Sequence, residues 1–599
     1  MTEPTPAFAR RIDAFLAEFF RLNPLHATAA GMHAYDAEWP DLTDAGRSER
    51  LAFAKRWQAE LVGFANDDLS RDERVDRDLL LAELDGIRFA ETELRQEAWD
   101  PLEWIYVLGG GIFPLIAREF APLADRLASA AGRLEGIRGV VEAARTELVG
   151  LSDRPVSAFH TETALKQLPG IAELADDAVS AGRAASPSDP EVAAVLPRVE
   201  AAAADAKAAL ADLEAHLREF VLPRAEGEGR LGAPLFTTKM RHTLKDAELT
   251  PARILARAEQ EYEAVRAEMI RLARDLWPTW GGGTEAPGDD GALVRAVLDA
   301  IAAEHPPAAE LLDFCREELG RIEAFCRERD LVGLPDDPLE IRWTPVFLRA
   351  FGGAMLDTPG PLDKGQKAFF AITPVADDWT PEQVESYLRE DNDRMLRVLT
   401  IHEAVPGHYL QGSYANRNPS IVRGIFWSGV YAEGWAVYVT QVMMDVGYGA
   451  DDPALLLIHW KFYLRAAINT IIDVRIHAGE AHGGPMTEDE AVELMVDGGF
   501  QEEAEARNKY NRARLSSTQL STYFIGSMAM WELEVAVRRR LAEAIGGAGA
   551  AAAVAERALP GGLGDTPGFA YRRHLEAVVS HSSPPVPLLR RLVLDEDPP

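Results

Sequence analysis

Between about residues 6 and 220 the apolar side chains recur every three or four positions, as in Ile12, Phe15, Leu16 and Phe19. That is the spacing of helices that bury one face. Ala-, Glu- and Arg-rich runs such as GRLEGIRGVVEAARTELVGL fit long exposed helices. Gly109–Gly111 and Ser186–Pro190 read as loops between them. A second block opens near Pro251, where Thr250 can cap a helix and the proline suits its first turn. The following WPTWGGGTEAPGDDG reads as an exposed loop. From about Leu339 to Pro374 the period changes, and LEIRWTP and KAFFAITP read as short strands bounded by proline and glycine. Helices resume from Thr380 to about Ala544. The pattern predicts a mostly α protein with an N-terminal helical lobe over 1–230. A second region, over 231–599, carries a small β-sheet at about 339–374.

One stretch, Gly424–Met444, has Glu433 as its only charge and nears bilayer length. Its mid-span carboxylate, with Ser428, Thr440 and Gln441, would be costly against lipid. It reads as a buried helix. Charge sharpens the picture: 62 Lys and Arg face 96 Asp and Glu, a net charge of -34 in 599 residues. Such a field repels phosphate backbones, so nucleic acid and anionic membranes are discounted as partners. The two cysteines, Cys315 and Cys326, are too few for a disulfide framework or a thiolate metal cluster, and both read as small buried apolar residues. The opening MTEPTPAFARRIDAFLAEFF lacks a basic segment followed by an apolar core and cleavage site. A cytoplasmic location is expected from it.

The candidate chemistry lies in LTIHEAVPGHYLQ, residues 399–411, with His402, Glu403 and His408. Imidazoles are the usual zinc ligands, and an adjacent carboxylate can take a proton from metal-bound water. The familiar spacing puts the two histidines four apart on one helix face; here they are six apart. A straight helix would turn them ~120° away from each other. Pro406 removes an N–H and clashes with the carbonyl of His402, and it pushes Val405 out of helical angles. Gly407 can take a backbone conformation closed to other residues. A helix broken after Val405 could therefore bring His408 back to the His402 face. Glu433, ionised in an apolar helix, must be paired or bound to a metal. It is the expected third ligand, with pairing to Arg465 as the other possibility. Lys461, Arg465, Asn469, Asp473 and His477 lie four apart along one helix face. They read either as a polar wall behind the site, with Arg465 and His477 reaching substrate, or as ion pairs on a solvated face. Tyr523, on an apolar helix, can donate to an oxyanion or simply fill core.

HEAVPGH, YAEGWAVY, the Asp473–His477 pair and QLSTYFIG, in this order, resemble the bacterial DUF885 family of metallohydrolases related to zincin peptidases. NPLHATAAGMHAYD resembles the opening of that family, so the likeness spans nearly the whole chain. The resemblance implies a zincin-like helical fold with a deep channel between lobes, zinc at His402, His408 and Glu433, and Glu403 as general base. It also implies Tyr523 as oxyanion donor. Ser517 and Ala513 stand where proline and an aromatic are common, which implies a different start for the Tyr523 helix. Some relatives are lipoproteins; this chain shows no lipobox. The expected function is zinc-dependent hydrolysis of peptide bonds in short peptides. KAFFAITP is expected to be either the edge strand along which an extended substrate pairs or plain sheet core. A hydrolase of a non-peptide amide or specialised metabolite, or a non-catalytic binding protein on the same scaffold, remain the alternatives.

Overall fold

The computed structural model describes residues 6–246, 248–344, 349, 353–376, 379–554 and 559–596. Residues 1–5, where the reading of the N-terminal segment begins, lie outside them. The protein is mostly helical with one three-stranded sheet among the described residues. It divides into two compact units, Met1–Leu231 with Pro359–Gln366, and Gly232–Thr358 with Lys367–Pro599.

The first unit is helical because its apolar periodicity is satisfied: Phe15, Phe19, Ile12 and Leu16 are all buried. Helix Leu123–Glu147 packs along Pro190–His216, which also packs on Ala158–Ala185. Ser186–Asp189 form the turn between the last two, and Asp189 caps the second by accepting from Glu191 and Val192 N–H. Gly109–Gly111 do not form a loop; they lie inside helix Pro101–Ala117. The reason is space: a Cβ on Gly111 would sit 2.4 Å from the Trp39 ring. The Trp39 indole N–H donates to Arg133 O at 2.7 Å. Pro359–Gln366 joins this unit through Leu362 N–H to Ala30 O (2.9 Å) and through His33, whose ring bonds Asp363 (2.9 Å) and Asp36 (2.9 Å) and stacks on Phe120.

The second unit holds the candidate chemistry. Thr250 caps helix Pro251–Trp280 with Pro251 in its first turn, as the sequence predicts. The helix runs on through the predicted loop residues Trp277–Trp280. Pro278 lies in its last turn, and the Trp277 indole closes over the end by donating to Thr284 O. This helix packs on Pro453–His477. The latter is long and apolar enough to span a bilayer, but 83% of its most apolar window is buried within the protein. The apolar stretch around Glu433 forms helix Gly429–Asp445, starting where Ser428 accepts from Tyr431 N–H, and it packs on Ser521–Gly546.

The sheet contains β1 (Leu339–Trp343), β2 (Ala354–Asp357) and β3 (Ala368–Ile372) in the order β1-β3-β2. β1 runs parallel to β3, with Ile341 opposite Phe370, and β2 runs antiparallel, with Leu356 opposite Phe370. KAFFAITP therefore forms the central strand, not an edge for substrate. Its two apolar faces explain this, since Phe370, Ala371 and Ile372 are all buried. Ile341, Phe370 and Ile372 share a cluster with Leu396 and Ala404, so the sheet is packed directly on the helix that carries His402. Both cysteines are free and buried, as expected.

Candidate metal centre

Helix Asp393–Glu403 starts at Asn392, which accepts from Arg394 and Met395 N–H, and ends at Ala404 with φ -104° and ψ -95°. The next helix, His408–Ala415, opens after Gly407. The helix is thus broken between the histidines, as the Val405–Pro406–Gly407 sequence predicts, and the Val405–Pro406 peptide is cis. Trp435, from the Glu433 helix, donates to Pro406 O at 2.9 Å and pins the break. Gly407 takes φ -76° and ψ -136°, and a Cβ there would lie 1.9 Å from His402 O and 2.4 Å from Ile401 O. Space demands glycine here.

The break brings His408 back towards His402, with ring centroids 4.8 Å apart. Glu433 Oε2 lies 3.8 Å from His402 Nε2 and 3.6 Å from His408 Nε2. One donor atom from each of the three residues falls within 4.8 Å of the others. These separations are too long for hydrogen bonds. They suit a shared cation, because two donors ~2.1 Å from one ion stand ~3.4 Å apart at a tetrahedral angle and at most ~4.2 Å. The donor set, two imidazoles and one carboxylate, fits zinc. His408 Nδ1 donates to Gln411 Oε1 at 3.4 Å, and Gln411 in turn donates to Ser583 Oγ at 2.9 Å. That relay leaves Nε2 of neutral His408 as the lone-pair nitrogen facing the cluster.

Burial dominates the electrostatics. It pushes the His402 imidazolium down to about 3, helped by the neighbouring His408. Burial also works against charge on His408, but Glu433 and then Glu403 outweigh it and raise the ring to about 9. The Glu433 carboxyl is held below its usual range: burial works to raise it, and His408, His402 and Arg512 outweigh burial. Glu403 is 6% exposed. Burial pushes its carboxyl up to about 7, with Glu433 adding to the rise and His408 and the Leu356 backbone opposing it. Leu356 lies on β2, so the edge strand on this side of the sheet faces Glu403.

Tyr523 stands close by. Its helix crosses the Glu433 helix at a glycine pair, where a Cβ on Gly434 would meet Gly526 backbone at 2.3 Å. Tyr523 is one turn before Gly526. Its phenol oxygen accepts from Arg512 and from Gln519, each at 3.4 Å, leaving its own proton to point elsewhere. Burial, reinforced by Glu433, raises the phenol to about 12, so it stays protonated.

The polar stripe is buried, and four of its five members bond inward. Lys461 Nζ donates to Glu390 at 2.9 Å, and Arg465 pairs with the same carboxylate. Arg465 is therefore neither the partner of Glu433 nor brought to the donor cluster; its carboxylate is Glu390. Asp473 accepts from Thr518 N–H (3.0 Å), Ser521 N–H (3.2 Å) and Ser521 Oγ (2.6 Å), and so holds the start of the Tyr523 helix. His477 is 1% exposed, bonds Ala513 O at 2.8 Å through Nε2 and stacks on Phe236 at 5.4 Å. That places it against the helix carrying Arg512. Ser517, where a proline was expected, accepts from Lys239 Nζ at 2.7 Å, and Thr518 takes φ +71° just before the helix. Sequence reasoning missed Arg512 and Glu390, because charged residues on polar helices read as solvent-facing, and Gln519, which lies in the turn before the Tyr523 helix.

Comparison with known proteins agrees with this architecture. The family described as bacterial protein of unknown function, DUF885, matches residues 24–562. A candidate lipoprotein of unknown function from Shewanella oneidensis is similar at 30% identity and TM-score 0.78, over 98% of this chain and 100% of that one. A candidate lipoprotein from Colwellia psychrerythraea shares the fold at 16% identity and TM-score 0.74, over 98% of this chain and 99% of that one. No curated protein matches the chain.

Proposed function

From the premise that the chain belongs to the DUF885 family, whose function is unknown, we propose that it is a zinc-dependent hydrolase of peptide bonds in short peptides, with zincin-like chemistry. The observation that carries the reading is the convergence of His402, His408 and Glu433 from three separate helices, with donors 3.6 and 3.8 Å apart and no hydrogen bond between them. When bound, zinc supplies Lewis acidity to a carbonyl and a more acidic water.

The protein residues supply the rest. Glu403, one position from His402, is buried beside the donors. A carboxylate placed there accepts a proton from water and returns it to the leaving nitrogen. Tyr523, protonated and with its oxygen already occupied as acceptor, donates to the negative charge that develops on the scissile oxygen. The β2 edge beside Glu403 replaces KAFFAITP as the strand along which an extended substrate pairs.

The test is Glu403→Gln. Zinc content measured by elemental analysis should match the wild type, while release of new amino groups from a short-peptide library should fall by ~10²-fold or more. Unchanged turnover would remove Glu403 as the base, and protein that holds no zinc would remove the reading itself.

A further inference from the structure

Helix Glu503–Leu515 lies behind Tyr523 and carries Lys509 and Arg512 three positions apart, on one face. Buried cations elsewhere are satisfied, some by carboxylates, as Arg538 by Glu534 at 2.7 Å and Lys461 and Arg465 by Glu390, and others by backbone carbonyls, as Arg133 by Gly111 O at 3.0 Å and Arg126 by Ala121 O at 3.0 Å. Among the described residues Arg512 has neither. Among the described residues its guanidinium has no carboxylate within ion-pair distance, and its side-chain contacts are the neutral oxygens of Gln519 at 3.2 Å and Tyr523 at 3.4 Å. Lys509 is 9% exposed, and its pairing is with Glu505 on its own helix at 3.4 Å. Burial pushes the Lys509 ammonium down to about 8, with Arg512 and Arg465 adding to the fall against Glu505. In a chain of net charge -34, a half-buried guanidinium that bonds no carboxylate, close enough to the donor cluster to act on Glu433, is open to a bound anion.

The position of Arg512 identifies the anion. Tyr523 faces the scissile oxygen in the mechanism above, and Arg512 stands 3.4 Å from its hydroxyl. One extended residue advances ~3.3–3.6 Å. An anion on Arg512 is therefore one or two residues from the bond to be cut. A short peptide carries one anion at that distance irrespective of its side chains: its terminal carboxylate. We propose that Arg512, with Lys509 reinforcing the local positive charge, is the subsite for the free α-carboxylate of the substrate, so that hydrolysis removes one or two residues from the carboxyl end. The inference rests on the hydrolase reading, but binding tests it separately.

The experiment uses the full chain with three probes: a short peptide as the free acid, the same peptide as its carboxy-terminal amide, and an amide whose last residue is glutamate. Cleavage is followed by amine release, and binding by calorimetry on the Glu403→Gln protein with and without Arg512→Gln. The expected result is a preference of at least tenfold for the free acid. Arg512→Gln should reduce the free acid to the level of the amide, mainly through KM, and Arg512→Lys should restore part of the preference. Equal handling of acid and amide by the unaltered protein overturns the subsite and leaves the hydrolase reading standing. Acceptance of the glutamate amide as readily as the free acid also overturns it, by assigning the anion to a side chain. Selective binding of the free acid that Arg512→Gln abolishes, with no cleavage of any probe, upholds the subsite while the hydrolase reading falls. Neither binding nor cleavage overturns both. The acid-to-amide ratio of the unaltered protein decides the matter even if the Arg512 variants fail to fold.

Discussion

Gly407→Ala tests the broken turn on which the donor cluster depends. A Cβ at this position would lie 1.9 Å from the carbonyl oxygen of His402 and 2.4 Å from that of Ile401. Real Cβ atoms essentially never approach a heavy atom within 3.0 Å, so the backbone must open by more than 1 Å. Neither oxygen belongs to a side chain that could swing aside. Relief must come from moving His402 away from His408, and the cluster has little room for it. Its imidazole–carboxylate separations are 3.6 and 3.8 Å, against a limit of ~4.2 Å for two donors sharing one zinc. Overpacking of this kind costs ~1–3 kcal/mol, and loss of ideal donor geometry should weaken zinc by roughly tenfold or more, since 1.4 kcal/mol is tenfold. The assay is zinc affinity by chelator competition, together with urea unfolding of the metal-free protein. Gly139→Ala is the matched control. That glycine is exposed in helix Leu123–Glu147 with nothing within 4 Å of an added Cβ, so alanine should stabilise it by ~0.5–1 kcal/mol. If Gly407→Ala bound zinc as tightly and unfolded at the same urea concentration as the parent, the geometric argument would be refuted.

Glu390→Gln should destabilise the protein by ~3–5 kcal/mol at pH 7, because it leaves Lys461 and Arg465 buried without their shared carboxylate. Burial works to raise the Glu390 carboxyl, but those two cations hold it at about 2. Its contribution is therefore complete above the unfolded value near 4.5, and the gap between variant and parent in urea unfolding should shrink as pH falls from there towards 2. A gap independent of pH would show that packing, not charge, sets the loss. His33→Ala should act at the opposite end of the scale. Burial works to lower the His33 imidazolium, yet Asp36 and Asp363 outweigh it and raise the ring to about 9. The stabilisation, ~1–2 kcal/mol after solvent screening, is present in full below about 6.5 and fades as pH rises through 9. Parent and variant should then converge in stability, and in proteolytic nicking of Pro359–Gln366, only at high pH. Equal nicking at pH 6 would count against the His33 tether.

What could be read from the sequence was local. HEAVPGH announces its own broken helix, because proline and glycine act on the residues beside them, and Glu433 stands out as a lone charge in an apolar helix. The two strands with β-branched and aromatic residues were legible for the same reason. β2, the four residues Ala354–Asp357, is too short and too mixed to read as a strand. That β3 lies in the middle of the sheet is a non-local fact, since strand order depends on which chains pair and not on the content of one strand. Gly109–Gly111 read as a loop because the residues that close on two of them, Ile171 on Gly109 and Trp39 on Gly111, lie far away in sequence. Glu390 and Arg512 were illegible in the same way. A buried ion pair and an unpaired guanidinium are indistinguishable from surface charge until the helices are packed together. The polar stripe was legible as a face, but only the structure reveals that Asp473 and His477 hold the Tyr523 helix and the Arg512 helix.

The central claim is that three side chains from separate helices hold one cation. Diffraction from crystals of the zinc-loaded protein, recorded on both sides of the zinc absorption edge, tests it most directly. The account predicts one strong anomalous peak ~2.0–2.2 Å from His402 Nε2, His408 Nε2 and a Glu433 carboxylate oxygen. A zinc peak elsewhere in the protein, or none at these three atoms, would contradict it.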